Sequence, residues 1–151
     1  MSKKSILLVT AIVAMATLFI AGGLIASTNF PDMIKMESSA YDHKKGIVEF
    51  SHKKHFEEYG VSCGECHHDD EGSPLTELKV GDSVQKCIEC HDKPGQKPRG
   101  KDVPRLSKEE ELQYHAEALH ENCKSCHREF NRENETKAAP TTCSKCHPRE
   151  K

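Results

Sequence analysis

The cysteines are the residues of this chain with the clearest chemistry. All eight lie in four copies of one pattern, in which two cysteines stand three positions apart and a histidine follows the second. The copies are Cys63-Gly-Glu-Cys66-His67, Cys87-Ile-Glu-Cys90-His91, Cys123-Lys-Ser-Cys126-His127 and Cys143-Ser-Lys-Cys146-His147. Two thiols at this spacing can each add to a vinyl group of one haem, and the adjacent histidine can then bind the iron. The four copies therefore predict four covalently bound haem c groups.

Paired cysteines also occur in disulfides, which suit exported chains, and in zinc sites. Neither arrangement needs a histidine after each second cysteine. A zinc ribbon would use two cysteine pairs for one metal ion and would leave the four histidines unexplained. The pattern therefore favours haem over both alternatives.

The second axial ligand of each iron determines what the haems can do. The four methionines, Met1, Met15, Met33 and Met36, all precede the first motif, so methionine ligation is disfavoured. Six further histidines are available: His43, His52, His55, His68, His115 and His120. They suffice to give every iron two histidine ligands, which lowers the reduction potential and leaves no open position for a substrate. This predicts an electron carrier and not an enzyme.

The positions of the six histidines in the sequence indicate which of them are the better candidates for the second iron ligand. His52 and His55 lie three residues apart and can reach two neighbouring haems from one helical turn. His68 directly follows His67, so one short stretch can serve two irons. His120 lies three residues before a motif and is preferred over His115, which can simply pack on the apolar face of its helix. His43 is interpreted as a surface residue.

Few regular elements are predicted to position these residues. Residues 46–50 alternate weakly and form the only plausible strand, and residues 51–59 a short helix. Glycine and proline mark loops at 72–74 and 93–104. Ser107 and Glu110 match a capping box, and apolar residues at helical spacing follow, so one helix is predicted over residues 107–121. The expected fold is mainly irregular, with short α-helices and little β-structure.

The composition supports a cofactor-filled core. The chain has 151 residues, no Trp, five Phe and three Tyr, and much of its apolar content lies near the N-terminus. Such a small, polar domain needs a substitute for a hydrophobic core. The net charge of −2 does not indicate nucleic-acid binding. From residue 122 onward the chain contains seven basic and four acidic residues. This basic segment is either a solvated surface or a docking patch for an acidic partner.

The N-terminal residues predict export. Lys3 and Lys4 precede an uncharged apolar run at residues 5–28, as in a secretory leader. The run is also close to the length of about 20 residues that spans a bilayer. Residues 1–28 are therefore either a cleaved signal peptide or a membrane anchor, residues 29–40 a linker, and residues 41–151 the haem-binding domain. In both cases the cysteines lie outside the cytoplasm.

Over residues 41–147 the sequence resembles the class III cytochromes c, which include the tetrahaem cytochrome c3 group. The resemblance is carried by Val48-Glu-Phe-Ser-His52-Lys-Lys-His55 and by Cys66-His67-His68. It implies that His52, His68, His55 and His120 are the distal ligands of the first, second, third and fourth haem, respectively. It also implies a domain with haems as its core. The expected function is periplasmic, low-potential electron transfer between hydrogenases or formate dehydrogenases and membrane redox complexes.

Two other functions compete with this reading. A membrane-anchored tetrahaem quinol dehydrogenase fits the size and the leader, but its first haem motif would follow the membrane helix closely, whereas more than thirty residues separate residue 28 from Cys63. A multihaem reductase would keep one iron open, and the histidine count argues against that.

Overall fold

The computed structural model describes residues 30–148. The predicted leader at residues 1–28 and the last three residues lie outside this range. The elements, in chain order, are β1 (Ile34–Lys35), β2 (Glu49–Phe50), α1 (His52–Glu57), a 3-10 turn (Cys63–Glu65), α2 (Cys87–Cys90), α3 (Lys108–Leu112), α4 (His115–Glu133) and α5 (Cys143–Cys146). Most of the described chain is irregular. The prediction of short helices with little β-structure is confirmed.

The two strands form one short antiparallel ribbon, in which Ile34 pairs with Phe50 and Lys35 with Glu49. The strand predicted over residues 46–50 is therefore shorter than expected. Its first residue is engaged elsewhere, because the Gly46 carbonyl accepts a hydrogen bond from His147 Nδ1 at 2.8 Å. The partner strand β1 comes from residues 29–40, the predicted linker.

Helix α1 begins directly after β2, with Ser51 at its N-terminal boundary. It matches the helix predicted over residues 51–59 except at its last turn, where the N–H groups of Glu58 and Tyr59 both bond to the Lys54 carbonyl. Gly60 then takes a positive φ of 67° and turns the chain away. Phe30 packs against this helix, with its ring 4.6 Å from that of His52.

The single helix predicted over residues 107–121 is wrong, because the structure divides it at residues 113–114. The capping box that begins α3 is present, with Glu110 N–H donating to Ser107 Oγ and Ser107 N–H donating to the Glu110 carboxylate. The division arises where the loop after the second motif bonds to the helix backbone. Lys93 N–H donates to the Gln113 carbonyl, and the Lys93 carbonyl accepts from His115 N–H. α4 begins at His115 and continues to Glu133, through the third motif.

Side chains of the described residues provide almost no core. Only Ala118, at 8 % exposure, and His115, at 6 %, are buried, and no described side chain falls below 2 %. A domain of this size normally buries many apolar side chains. The side chains of the described residues therefore do not form a hydrophobic core of the usual size. Within residues 30–148, no helix has the length and hydrophobicity to cross a membrane.

Candidate functional site

Each cysteine motif adopts a helical turn. The first forms the 3-10 turn, the second and fourth coincide with α2 and α5, and the third lies within α4. In three of them the histidine N–H closes the turn by donating to the carbonyl of the first cysteine, at 2.9 Å for His67, 2.8 Å for His91 and 2.7 Å for His147. Because residues three apart on such a turn share a face, both thiols point to one side. This is the arrangement that two thioether bonds to one porphyrin require.

The four motifs converge on one region. Burial, followed by the neighbouring thiols of Cys66, Cys146 and Cys87, raises the pKa of the Cys123 thiol to about 11. The three neighbours belong to the three other motifs. The four motifs therefore lie close enough together for their thiols to influence one another.

The structure brings each motif histidine next to one of the additional histidines. The ring centroids are 6.3 Å apart for His67 and His52, 5.8 Å for His91 and His68, 6.2 Å for His127 and His55, and 6.1 Å for His147 and His120. Two imidazoles that bind one metal ion from opposite sides, through bonds of about 2 Å, have ring centres about 6 Å apart. The four pairs thus have the spacing that a bis-histidine iron needs, and they are the pairs that the family resemblance implies.

Hydrogen bonds to backbone carbonyls orient five of these eight rings. The Nδ1–H groups of His55, His68, His91, His127 and His147 donate to the carbonyls of Ser51, Asp69, Leu112, Pro140 and Gly46, at 2.5–2.8 Å. A carbonyl can only accept, so Nδ1 must carry the proton and Nε2 keeps its lone pair. A histidine prepared in this way presents Nε2 as a metal ligand.

Sequence reasoning did not identify these carbonyl partners. Three of them, at Leu112, Pro140 and Gly46, lie 13 to 101 positions from their histidines. Every residue has a carbonyl, so no residue type marks the acceptor. Phe30, whose ring packs on His52, was likewise missed because it lies in the stretch treated as a linker. The available signal was an aromatic residue close to the apolar residues Met33, Ile34 and Met36.

The two remaining histidines lie outside the four pairs. His115 is buried, and its Nδ1 is hydrogen-bonded to the Tyr41 hydroxyl at 3.0 Å. Burial, followed by the charges of His91 and His43, lowers the pKa of His115 below its usual value. His43 is half-buried, with Nε2 accepting the Ser38 N–H at 2.9 Å. His115 thus packs inside the domain, and His43 organises the turn before β2.

The eight cysteines are not joined to one another in the described part of the chain. All eight cysteines are free, without a disulfide among them. Among residues 30–148, no group of three or more histidine, cysteine, aspartate or glutamate side chains could hold a metal ion. The residues instead fit haem c, since paired thiols and paired imidazoles recur together at four places.

Comparison with known proteins agrees with this geometry. A family model described as the class III cytochrome c family matches residues 29–147. The match covers all four cysteine motifs and all eight paired histidines. No curated protein matches the chain.

Proposed function

Because this chain belongs to the class III cytochrome c family, we propose that it is a periplasmic, low-potential electron carrier with four bis-histidine haems. Family membership makes it a multihaem electron-transfer cytochrome that binds haem c. The proposal adds the number of haems, their ligands, the compartment and the partners. The four histidine pairs are the observation that carries it.

Each haem is assigned one cysteine pair and one histidine pair. The first is held by Cys63 and Cys66, with His67 and His52 as axial ligands. The others follow the same scheme: Cys87, Cys90, His91 and His68 for the second; Cys123, Cys126, His127 and His55 for the third; Cys143, Cys146, His147 and His120 for the fourth. Support comes from the ring separations of 5.8–6.3 Å.

The ligands make this a carrier and not an enzyme. Bound haem iron takes up and releases single electrons. Two histidines on each iron leave no coordination position for a substrate, and histidine in place of methionine lowers the potential. The carbonyl bonds at Nδ1 hold five of the eight rings in place, so little would have to reorganise during electron transfer.

The partners proposed are hydrogenases or formate dehydrogenases as donors and membrane redox complexes as acceptors. The basic residues beyond position 122 support docking to acidic partner surfaces, since clustered charge steers encounter. The domain reaches the periplasm through residues 1–28, either as a soluble protein or tethered by residues 5–28.

The test is a haem count and a ligand-binding spectrum on holo-protein purified from the periplasm. We expect four haems per chain by iron analysis and mass spectrometry. The double variant Cys143→Ala/Cys146→Ala is the matched control and should carry three. Carbon monoxide added to the reduced protein should leave the spectrum unchanged, because no iron is open. A shift in the spectrum of wild-type protein would contradict the proposal and favour a reductase.

A further inference from the structure

Glu117 lies in α4, three residues before His120. Its side chain is only 16 % exposed, and its Oε1 atom is buried with no hydrogen-bond partner among the described residues. A buried carboxylate oxygen without a donor is destabilising, so native proteins rarely leave one unpaired. The haem chemistry described above does not account for this residue.

The nearest cation does not satisfy that oxygen. Arg99 Nη2 lies 3.8 Å from Glu117 Oε1, within ion-pair range but too far for a hydrogen bond. The Arg99 side chain is 70 % exposed on the loop between the second and third motifs. The contact therefore neutralises part of the carboxylate charge. It leaves the Oε1 atom free to accept a hydrogen bond.

His120 lies three residues further along the same helix. Residues three apart on a helix are neighbours on one face, so Glu117 and His120 occupy adjacent positions on the surface of α4. Five of the other seven paired histidines donate Nδ1–H to a carbonyl. No hydrogen bond joins the His120 ring to another residue in the described part of the chain.

We propose that Glu117 is a positioning residue for the fourth haem, whose carboxylate accepts the Nδ1–H of His120 when His120 binds the iron. The inference rests on the proposed function, in which His147 and His120 are the axial ligands. A carboxylate acceptor makes a coordinated imidazole a stronger electron donor than a carbonyl does. Glu117 therefore lowers the reduction potential of the fourth haem by stabilising its ferric form.

The experiment compares Glu117→Gln with wild-type holo-protein, using a redox titration followed by electron paramagnetic resonance. The amide of Gln keeps the shape but removes the charge. We expect one of the four potentials to rise and the g values of one ferric haem to shift, with the other three haems unchanged. A residue that only supports the helix would not alter the g values of a single low-spin haem.

Glu121→Gln is the matched control. Glu121 follows His120 directly, but its side chain is 51 % exposed and is paired with Lys108 at 2.8 Å. The Glu121→Gln substitution removes the same charge from the same helix, and it should leave the g values of all four haems unchanged. Equal effects of the two variants would overturn the proposal, because they would show a general charge effect instead of a bond to His120.

The remaining outcomes separate a failure of the Glu117 proposal from a failure of the proposed function. If Glu117→Gln does not accumulate as holo-protein, Glu117→Asp is measured instead; it withdraws the carboxylate by one methylene, and unchanged g values would overturn the proposal. A wild-type protein with fewer than four low-spin haems would overturn the proposed function itself. Four bis-histidine haems that do not respond to Glu117→Gln would overturn only the role of Glu117.

Discussion

His115 and His120 show how surroundings determine the role of a residue type. Both lie in α4, and both were candidates for the last distal ligand. His120 has its ring 6.1 Å from that of the motif residue His147. His115 is hydrogen-bonded to Tyr41, a residue 74 positions away, and is the most buried polar side chain of the described residues. One imidazole is thus available to a metal ion, and the other is used in packing.

This difference predicts opposite results for two substitutions. His120→Ala should open one of the four irons, so carbon monoxide should bind to that haem and change part of the reduced spectrum. His115→Asn should leave carbon monoxide binding unchanged and lower the free energy of unfolding by about 1 kcal/mol, through loss of the bond to Tyr41. The measurements are carbon monoxide difference spectra and denaturant unfolding of the holo-proteins. Carbon monoxide binding to the His115 variant alone would reverse the assignment.

At the scale of elements, the boundary between α3 and α4 positions His120 and the third cysteine motif. The loop at residues 93–95 bonds to the backbone at residues 113–116, and α4 begins there as a separate helix. α4 then carries His120 and the whole third motif on one rigid element. Because the same loop follows the second motif, this junction connects the second motif to the helix that carries the third.

The capping box at Ser107 is predicted to stabilise this junction. Ser107→Ala removes the acceptor of the Glu110 N–H and should lower stability by about 1 kcal/mol. Ser107→Thr keeps a hydroxyl group and should retain most of the stability that the cap provides. Hydrogen exchange of the Glu110 and Glu111 amides provides the measurement, since both bond to Ser107. Equal exchange in both variants would show that the cap contributes nothing.

At the scale of the whole molecule, contacts between distant segments close the fold. His147, near the end of the described chain, donates to the carbonyl of Gly46, 101 positions earlier. Pro148 packs so closely on Gly46 that a Cβ atom there would collide with the Pro148 carbonyl oxygen. Glycine is therefore required at position 46 by close approach of the backbones, and the contact lies next to His147, the histidine of the fourth motif.

Gly46→Ala is expected to disturb this closure. Overpacking at such a contact costs about 1–3 kcal/mol, and displacement of His147 should also alter the potential of a single haem. Gly100→Ala serves as control, because its added Cβ would meet only the Val103 side chain, at 3.3 Å. Thermal unfolding and redox titration of both holo-proteins make the comparison. Wild-type behaviour of Gly46→Ala would mean that the C-terminal segment does not pack here.

The near absence of a side-chain core predicts that the chain cannot fold without haem. With only His115 and Ala118 buried among residues 30–148, too little apolar surface is removed from water to offset the loss of conformational entropy. Protein made without c-type haem attachment should give a circular dichroism spectrum of a largely unfolded chain. A native-like spectrum and a cooperative thermal transition would contradict this prediction.

The sequence by itself determined the chemistry of this protein, because haem attachment depends on residues only a few positions apart. The four cysteine motifs, the candidate ligands and the capping box at Ser107 could all be read in this way. Only the tertiary structure decided the division of the predicted helix at residues 113–114, the distant carbonyls that orient the rings of His91, His127 and His147, and the contact of the buried Glu117 carboxylate with Arg99. These features depend on contacts between segments far apart in the chain, and local spacing does not encode them.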